Sequence, residues 1–358
     1  MKVLLTGGTG YIGSAVLAAL VARGHEVTAL VRSEGSARTV EAAGATPAVV
    51  DLTDTTAVAT LLADADAAVH AAAASDGSSP TIDASVVDAV LATFDGTARP
   101  FVHTSGIWVY GNGEAIDEDS PLDPPAIVAW RLPIEERLLA ATAQGRVAGS
   151  VVVPGVVYGH GAGIPGIVAG APRSEGPDGA SLTLVGSGTQ RWATVHVDDL
   201  AELYVLAVEQ GLTGRLLGTA DGSASVIDLT RAASRAGGLG GAVGPEDEGA
   251  TRERLGAPFA DALLLDQRVA PVTRARALGW SPRRPSLVEE LETGSYAPAV
   301  SAHRDPTAGA MDFTPAFRED VATCPATRAK QWPTTVPPGR PTDGEPTGVT
   351  ARRAALLR

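Results

Sequence analysis

Lysine is almost missing: Lys2 and Lys330 are the only two in a chain of 358 residues, and Cys324 is the only cysteine. A single thiol excludes an internal disulfide and any metal centre built from cysteine pairs. The six histidines are scattered, with no His-x-x-x-His or His-Glu-x-x-His spacing, so no zinc-binding helix is spelled out either. No apolar run approaches the roughly 20 residues of a membrane span. Met1 leads directly into an apolar strand, which leaves no room for a signal segment, and the expected location is cytoplasmic. Positive charge is also scarce: 28 Lys and Arg stand against 41 Asp and Glu, a formal net charge of −13 that opposes binding to nucleic acid or to an anionic membrane. What remains is a chain with 44 % apolar residues, enough to bury a sizeable core in one large or two modest domains.

Glycine is where the chain is rich. Its most informative use is Thr6-Gly7-Gly8-Thr9-Gly10-Tyr11-Ile12-Gly13, directly after an apolar run from Lys2 to Leu5 and at the head of a periodic segment. That order reads as strand, glycine turn, helix. Gly7 suits a left-handed turn, Gly10 lets the backbone approach a pyrophosphate, and Gly13 allows close packing of the helix. The N–H groups at the helix start then face the phosphates, where the helix dipole favours negative charge. Thr6, Gly7, Gly10, Tyr11, Ile12 and Gly13 are therefore expected to hold a dinucleotide.

A helix over Tyr11–Ala22 stops at Gly24, and a second strand, Glu26–Val31, runs into Arg32. That position lies about 20 residues past the glycines, where NAD-binding proteins place an acid on the ribose 2′-hydroxyl. An arginine there suits a 2′-phosphate and predicts NADP in preference to NAD; the plainer alternative is a solvated arginine at a strand end. Asp51 and Leu52 follow a third strand, Ala45–Val50. Asp51 is placed either to hydrogen-bond the adenine or to serve as a turn residue, and Asp54 to cap the next helix. After the strand Ala67–His70, Ala71 and Ala72 leave room for a nicotinamide ribose against the backbone. A helix over Thr81–Ala92 and the strand Phe101–Thr104 extend an alternation that predicts an α/β fold: a Rossmann-type, doubly wound parallel sheet with its ligands at the carboxyl ends of the strands.

A helix over Val128–Thr142 and a strand over Ser150–Val153 follow, and then the rhythm loosens. Residues 161–180 are rich in glycine and proline. Beyond them come a strand over Ser181–Val185, a helix over Leu200–Glu209 that Asp198 is expected to cap while His196 fixes the loop, a helix over Ile227–Ala236 and an acidic loop over Glu246–Glu248. A short helix is entered through Ser286-Leu287-Val288-Glu289, which spells a capping box. The expected organisation is a dinucleotide-binding domain over 1–160, a smaller irregular α/β substrate lobe over 161–296 partly interleaved with it, and a disordered tail over 297–358. That tail is studded with proline and poor in large apolar residues, so it cannot offset its own ordering entropy.

Taken together, Thr6–Gly13, the Asp51-Leu52 pair, the strand end Ser105–Gly111, Pro154-Gly155-Val156-Val157-Tyr158-Gly159 and Val195-His196-Val197-Asp198-Asp199-Leu200 resemble the extended short-chain dehydrogenases/reductases, in their NAD-dependent epimerase/dehydratase branch. The resemblance covers residues 1–296. It implies hydride transfer between a nicotinamide and a carbonyl or alcohol carbon of a small-molecule substrate such as a nucleotide sugar or an aldehyde. It also implies a hydroxyl residue after the Phe101–Thr104 strand and a Tyr-x-x-x-Lys pair on the next helix, the tyrosine as acid/base and the lysine lowering its pKa while holding the ribose.

Ser105 lies near the first of those positions, offset by about one residue with Gly106 as the other register, and a serine at a strand end also serves to satisfy turn backbone. The pair itself is missing, since no lysine occurs between Lys2 and Lys330 and no tyrosine between Tyr110 and Tyr158. The tyrosine position holds Ile127 or Val128, and the lysine position Arg131 or Leu132, so the chain resembles the family's atypical members. Arg131 keeps a positive charge for the ribose but cannot act as a base near neutral pH. The residues assigned to catalysis are thus Ser105, polarising the substrate oxygen, and Arg131, with the proton donor open between Tyr110, His103 and a bound water. The missing pair also fits another class, a catalytically inactive NADP-binding sensor that reports to a partner.

Overall fold

Short, almost wholly buried apolar runs become strands, and the computed structural model describes residues 1–298 apart from Asp178 and Asp221. The expectation of a disordered tail lies, from residue 299 on, outside the described residues. Seven strands make the main sheet: β1 (Lys2–Thr6), β2 (Glu26–Val31), β3 (Thr46–Val49), β4 (Ala67–His70), β5 (Pro100–Thr104), β6 (Ala148–Pro154) and β7 (Gly214–Gly218). All neighbours are parallel, in the order β7-β6-β5-β4-β1-β2-β3. The order reverses between β1 and β4, and it is there that a doubly wound sheet opens a crevice at its carboxyl edge.

The pleat sends alternate side chains to two separate cores. Val3 and Leu5 of β1 join one core with helices α1 (Tyr11–Ala22) and α2 (Glu34–Ala42), while Leu4 joins the other with α3 (Thr55–Ala63), α4 (Ser79–Thr93) and α5 (Arg131–Ala143). Helix α6 (Val197–Gln210) lies with α1 on the first face, through Leu200, Leu203 and Tyr204. Apart from the edge strands β3 and β7, the strands are buried on both faces and read as nearly continuous apolar runs, which is why their positions are legible in the sequence.

The less regular part builds small sheets of its own. Val156–Tyr158, Arg191–His196 and Ser223–Ser225 form one, and Arg173–Gly176, Gly179–Thr183 and Val243–Gly244 another, over a third core that includes Tyr158, Trp192, Leu229 and Leu287. Three expectations are corrected. Helix α5 starts at Arg131 rather than Val128, because Pro133 has no N–H and fits only the first turn; Val128 and Ala129 instead turn back on the Pro125 carbonyl. The cap of α6 is His196, whose Nδ1 accepts from the Asp198 N–H at 3.2 Å, so Asp198 sits inside the first turn. The acidic loop is present at Glu246 and Asp247 but stops one residue early, at a helix over Glu248–Leu255 that Asp247 caps by accepting from the Ala250 N–H, with a second helix over Ala257–Leu263. At Ser286 the capping box is present as spelled. No helix among the described residues is long and apolar enough to cross a membrane.

Candidate active site

The glycine turn after β1 is held by backbone proximity. Gly7 has φ +77°, and a Cβ there would lie 2.5 Å from the carbonyl carbon of Ala71; a Cβ on Gly13 would lie 2.0 Å from the carbonyl oxygen of Gly7. Gly10 caps α1 without any side chain, and its own N–H turns back to Gly7 O at 2.8 Å. The first-turn N–H groups of α1 are left facing a groove of about 400 Å³. Arg32 after β2, Leu52 after β3 and Ala71 to Ala74 after β4 line the same groove. All of these sit at the carboxyl edge of the sheet.

Two of the sequence candidates are otherwise engaged. Asp51 is exposed outside that lining, and its Oδ1 accepts from the Thr53 N–H at 2.9 Å and the Thr53 hydroxyl at 2.8 Å, which hold its pKa below the usual range. Thr6 is buried and turns its hydroxyl into the protein. The Ala72 N–H donates to Thr6 Oγ1 at 3.3 Å, which also meets His70 Nδ1 at 2.7 Å, while the Asp83 carboxylate can only accept and so takes its bond at Oδ1 from His70 Nε2 at 3.0 Å. Burial works against the Asp83 carboxylate, but the bond from His70, with His103 and Arg131 close by, outweighs it and keeps the group acidic. Arg131 Nη1 lies 3.8 Å from Asp83 Oδ2 and donates to Thr104 O at 3.0 Å, so one polar chain runs from the glycine turn to the start of α5.

His103 lies beside this chain, fully buried, with neither ring nitrogen hydrogen-bonded among the described residues and Nε2 3.6 Å from Asp83. Burial lowers its pKa from 6.5 to about 3, the Asp83 charge opposing only in part. The unfolded chain therefore binds a proton in this window that the folded chain refuses. The stability so gained is complete above pH 6.5 and is lost toward pH 3, at about 1.4 kcal/mol per pH unit. His103→Leu is expected to flatten the fall of Tm between about pH 6.5 and 4. An unchanged acid slope would rule out His103 as its source.

A second cavity, about 270 Å³, opens on the other side of Tyr11 and Ile12, which line both spaces. Ser105, Gly106, Trp108, Val128, Arg131 and Gly155 are among its walls, so the structure brings the two sequence-assigned residues, Ser105 and Arg131, into one pocket. Arg131 also stacks its guanidinium over Trp130 at 4.6 Å from the ring centroid. The wall opposite β5 is fastened by tyrosines: Tyr11 donates to Gly159 O at 2.8 Å, while the Tyr296 hydroxyl accepts from the Gly159 N–H at 2.9 Å and donates to Ala162 O. Ser295 Oγ accepts from the Gly161 N–H at 2.8 Å. Neither Tyr110 nor His103 lines the pocket. Tyr110 is buried, and its pKa is pushed up by that burial.

Sequence reading did not single out the polar groups under the pocket. Glu135, four residues along α5 from Arg131, has no exposed surface. Its Oε2 accepts from Arg215 Nη2 at 3.1 Å, whereas Glu135 Oε1, Ser105 Oγ and Arg215 Nε are buried with no hydrogen-bond partner among the described residues. A glutamate on the buried face of an amphipathic helix was the available signal.

Residues 3–217 match the model of the NAD dependent epimerase/dehydratase family. Over 309 residues the chain is 30 % identical to an uncharacterized protein of Schizosaccharomyces pombe, covering 83 % of this chain and 100 % of that one. It is 31 % identical over 237 residues to 4-hydroxy-2-methyl-3-oxo-4-farnesyl-3,4-dihydroquinoline-1-oxide ketoreductase of Stigmatella aurantiaca, covering 62 % of this chain and 69 % of that enzyme. The crystal structure of human epimerase family protein SDR39U1 with NADPH superposes with a TM-score of 0.57 at 26 % identity, over 82 % of this chain and 99 % of that one.

Proposed function

We propose that this chain, which belongs to the NAD dependent epimerase/dehydratase family, is an NADP-dependent oxidoreductase that interconverts a carbonyl and an alcohol on a small-molecule substrate. The observation that carries this reading is the shared wall: Tyr11 and Ile12 separate the glycine groove from the pocket of Ser105 and Arg131, so a dinucleotide laid along the groove ends at that pocket. The groove fits such a ligand, because α1 begins without a side-chain cap and offers its N–H groups to a pyrophosphate. Bound there, the nicotinamide supplies the hydride. The protein's share is orientation and charge. Ser105 Oγ donates to the substrate oxygen, and Arg131, fixed by Thr104 O and Asp83, places positive charge near the ribose. The ketoreductase relative and the NADPH-bound human relative support a redox reading.

The test is a hydride-transfer assay over aldehydes, ketones and nucleotide sugars with NADPH and NADH. Consumption of NADPH with at least one carbonyl class is the expected result. Tight NADPH binding without turnover on any of them would favour the sensor reading, which the absent Tyr-x-x-x-Lys pair supports.

Arg32 carries the cofactor preference. A guanidinium at the end of β2 offers paired donors to a 2′-phosphate, so calorimetry should find NADPH bound more tightly than NADH, and Arg32→Asp should narrow or invert the ratio. Equal affinities in the unmodified protein would remove Arg32 from cofactor selection.

A further inference from the structure

We propose that Glu135 holds the proton that Ser105 passes to the substrate, so that a buried carboxyl behind the pocket does the work of the missing tyrosine. This rests on the reductase reading above, with Ser105 at the substrate oxygen. A serine hydroxyl is too weak an acid to give up its proton near neutral pH unless the proton is replaced as it leaves. Ser105 lines the pocket and Glu135 does not, so Ser105 is the hydroxyl through which a Glu135 proton would reach the substrate.

The strand register places the three groups together. Ser105 donates its N–H to Val152 O on β6 at 2.8 Å, Val151 of β6 pairs with Arg215 of β7, and α5 packs across β6. Among the buried atoms without partners in the described residues are Ser105 Oγ and Oε1 of a carboxyl whose other oxygen is taken by Arg215, and the Ser105 hydroxyl is near enough to act on that carboxyl. A buried atom left in this state is costly unless it serves a purpose, and a protonated Oε1 is a donor in need of an acceptor. The charged and titratable neighbours are Arg131 on the same helix, Arg215 on β7 and Tyr110 after β5. Burial pushes the Glu135 carboxyl upward, while the Ser105 hydroxyl and the two arginines pull the other way without cancelling it.

The step balances. A bound reduced nicotinamide would supply the hydride; the substrate oxygen takes the Ser105 proton, Oγ–H is remade from Oε1–H, and the carboxylate is left beside Arg215 until a solvent proton replaces the one it gave. Oxidation of the alcohol runs the same transfers backwards. Reduction therefore slows as pH rises through the raised pKa of Glu135, and oxidation speeds up.

Infrared difference titration of the protein alone tests the carboxyl directly. The expected result is a protonated-carboxyl band that titrates above the ordinary glutamate range, is absent in Glu135→Gln and shifts in Ser105→Ala, which loses the acceptor. No such band, or a band indifferent to Ser105→Ala, overturns the proposal even if Glu135→Gln fails to fold. With NADPH and the best carbonyl of the panel, Glu135→Gln should lower kcat about 100-fold, abolish its alkaline fall and leave NADPH affinity unchanged. Turnover in the unmodified protein with an equally fast Glu135→Gln and the same pH profile overturns the relay alone. No turnover in the unmodified protein overturns the reductase reading and the relay with it.

Discussion

Replacing Ser105 with alanine is expected to lower kcat about 100-fold on the best carbonyl substrate, because a single donor to a developing oxyanion is typically worth about that much. NADPH affinity should stay within about threefold, roughly 0.65 kcal/mol. The neighbouring hydroxyl cannot take over: Thr104 Oγ1 donates to His70 O at 2.7 Å and meets the Tyr204 hydroxyl at 2.8 Å. Ser105, by contrast, lines the pocket, and its Oγ lies beside Glu135 with no other partner among the described residues. Steady-state kinetics and calorimetry on the same preparation decide the matter. Full activity in Ser105→Ala removes Ser105 from the mechanism.

Gly10→Val is expected to weaken dinucleotide binding by at least about 100-fold, near 2.7 kcal/mol, with little change in Tm. Gly10 has φ −82° and ψ 171°, a conformation open to any residue, and a Cβ there would meet only Gly7 O, at 3.2 Å. The fold can yield by a few tenths of an ångström. The pyrophosphate cannot, because valine would stand over the open end of α1. Gly13→Ala provides the contrast: with Gly7 O only 2.0 Å from the new Cβ, the turn itself must break and Tm should fall steeply. Normal binding by Gly10→Val would mean that the dinucleotide lies elsewhere.

What the sequence discloses is local. The strands of a sheet covered on both faces announce themselves as apolar runs, and α1 and β2 have the expected bounds because a glycine turn and Gly24 punctuate them. Of the residues gathered in the groove, Gly7 and Gly10 are legible in the turn itself, Arg32 by its spacing from that turn, and Leu52 and Ala71 by their places just after β3 and β4. Interactions between distant residues leave no such trace. Thr6 and His70 are 64 positions apart, and Arg215 and Glu135 are 80, so nothing in either neighbourhood marks the pairing. His196 was overlooked as a cap because serine, threonine and aspartate are the expected residues there, and the adjoining Asp198 looked the better candidate. The helices of 248–263 are short and the first is polar, so the acidic charges outweighed their weak periodicity.

The tyrosine clasp sets an order of events during synthesis. Residues up to Thr104 already supply five of the seven strands, including the glycine turn and the ends that hold Arg32 and Ala71. The turn Gly159–Ala162, between the pocket-lining residues Val157 and Gly163, is held by Tyr11 from the early part of the chain but by Ser295 and Tyr296 from its late part. At about 5–20 residues per second the interval between Thr104 and Tyr296 is roughly 10–40 s. The residues that line the groove are thus synthesised well before Ser295 and Tyr296, which complete the fastening of the turn beside the pocket.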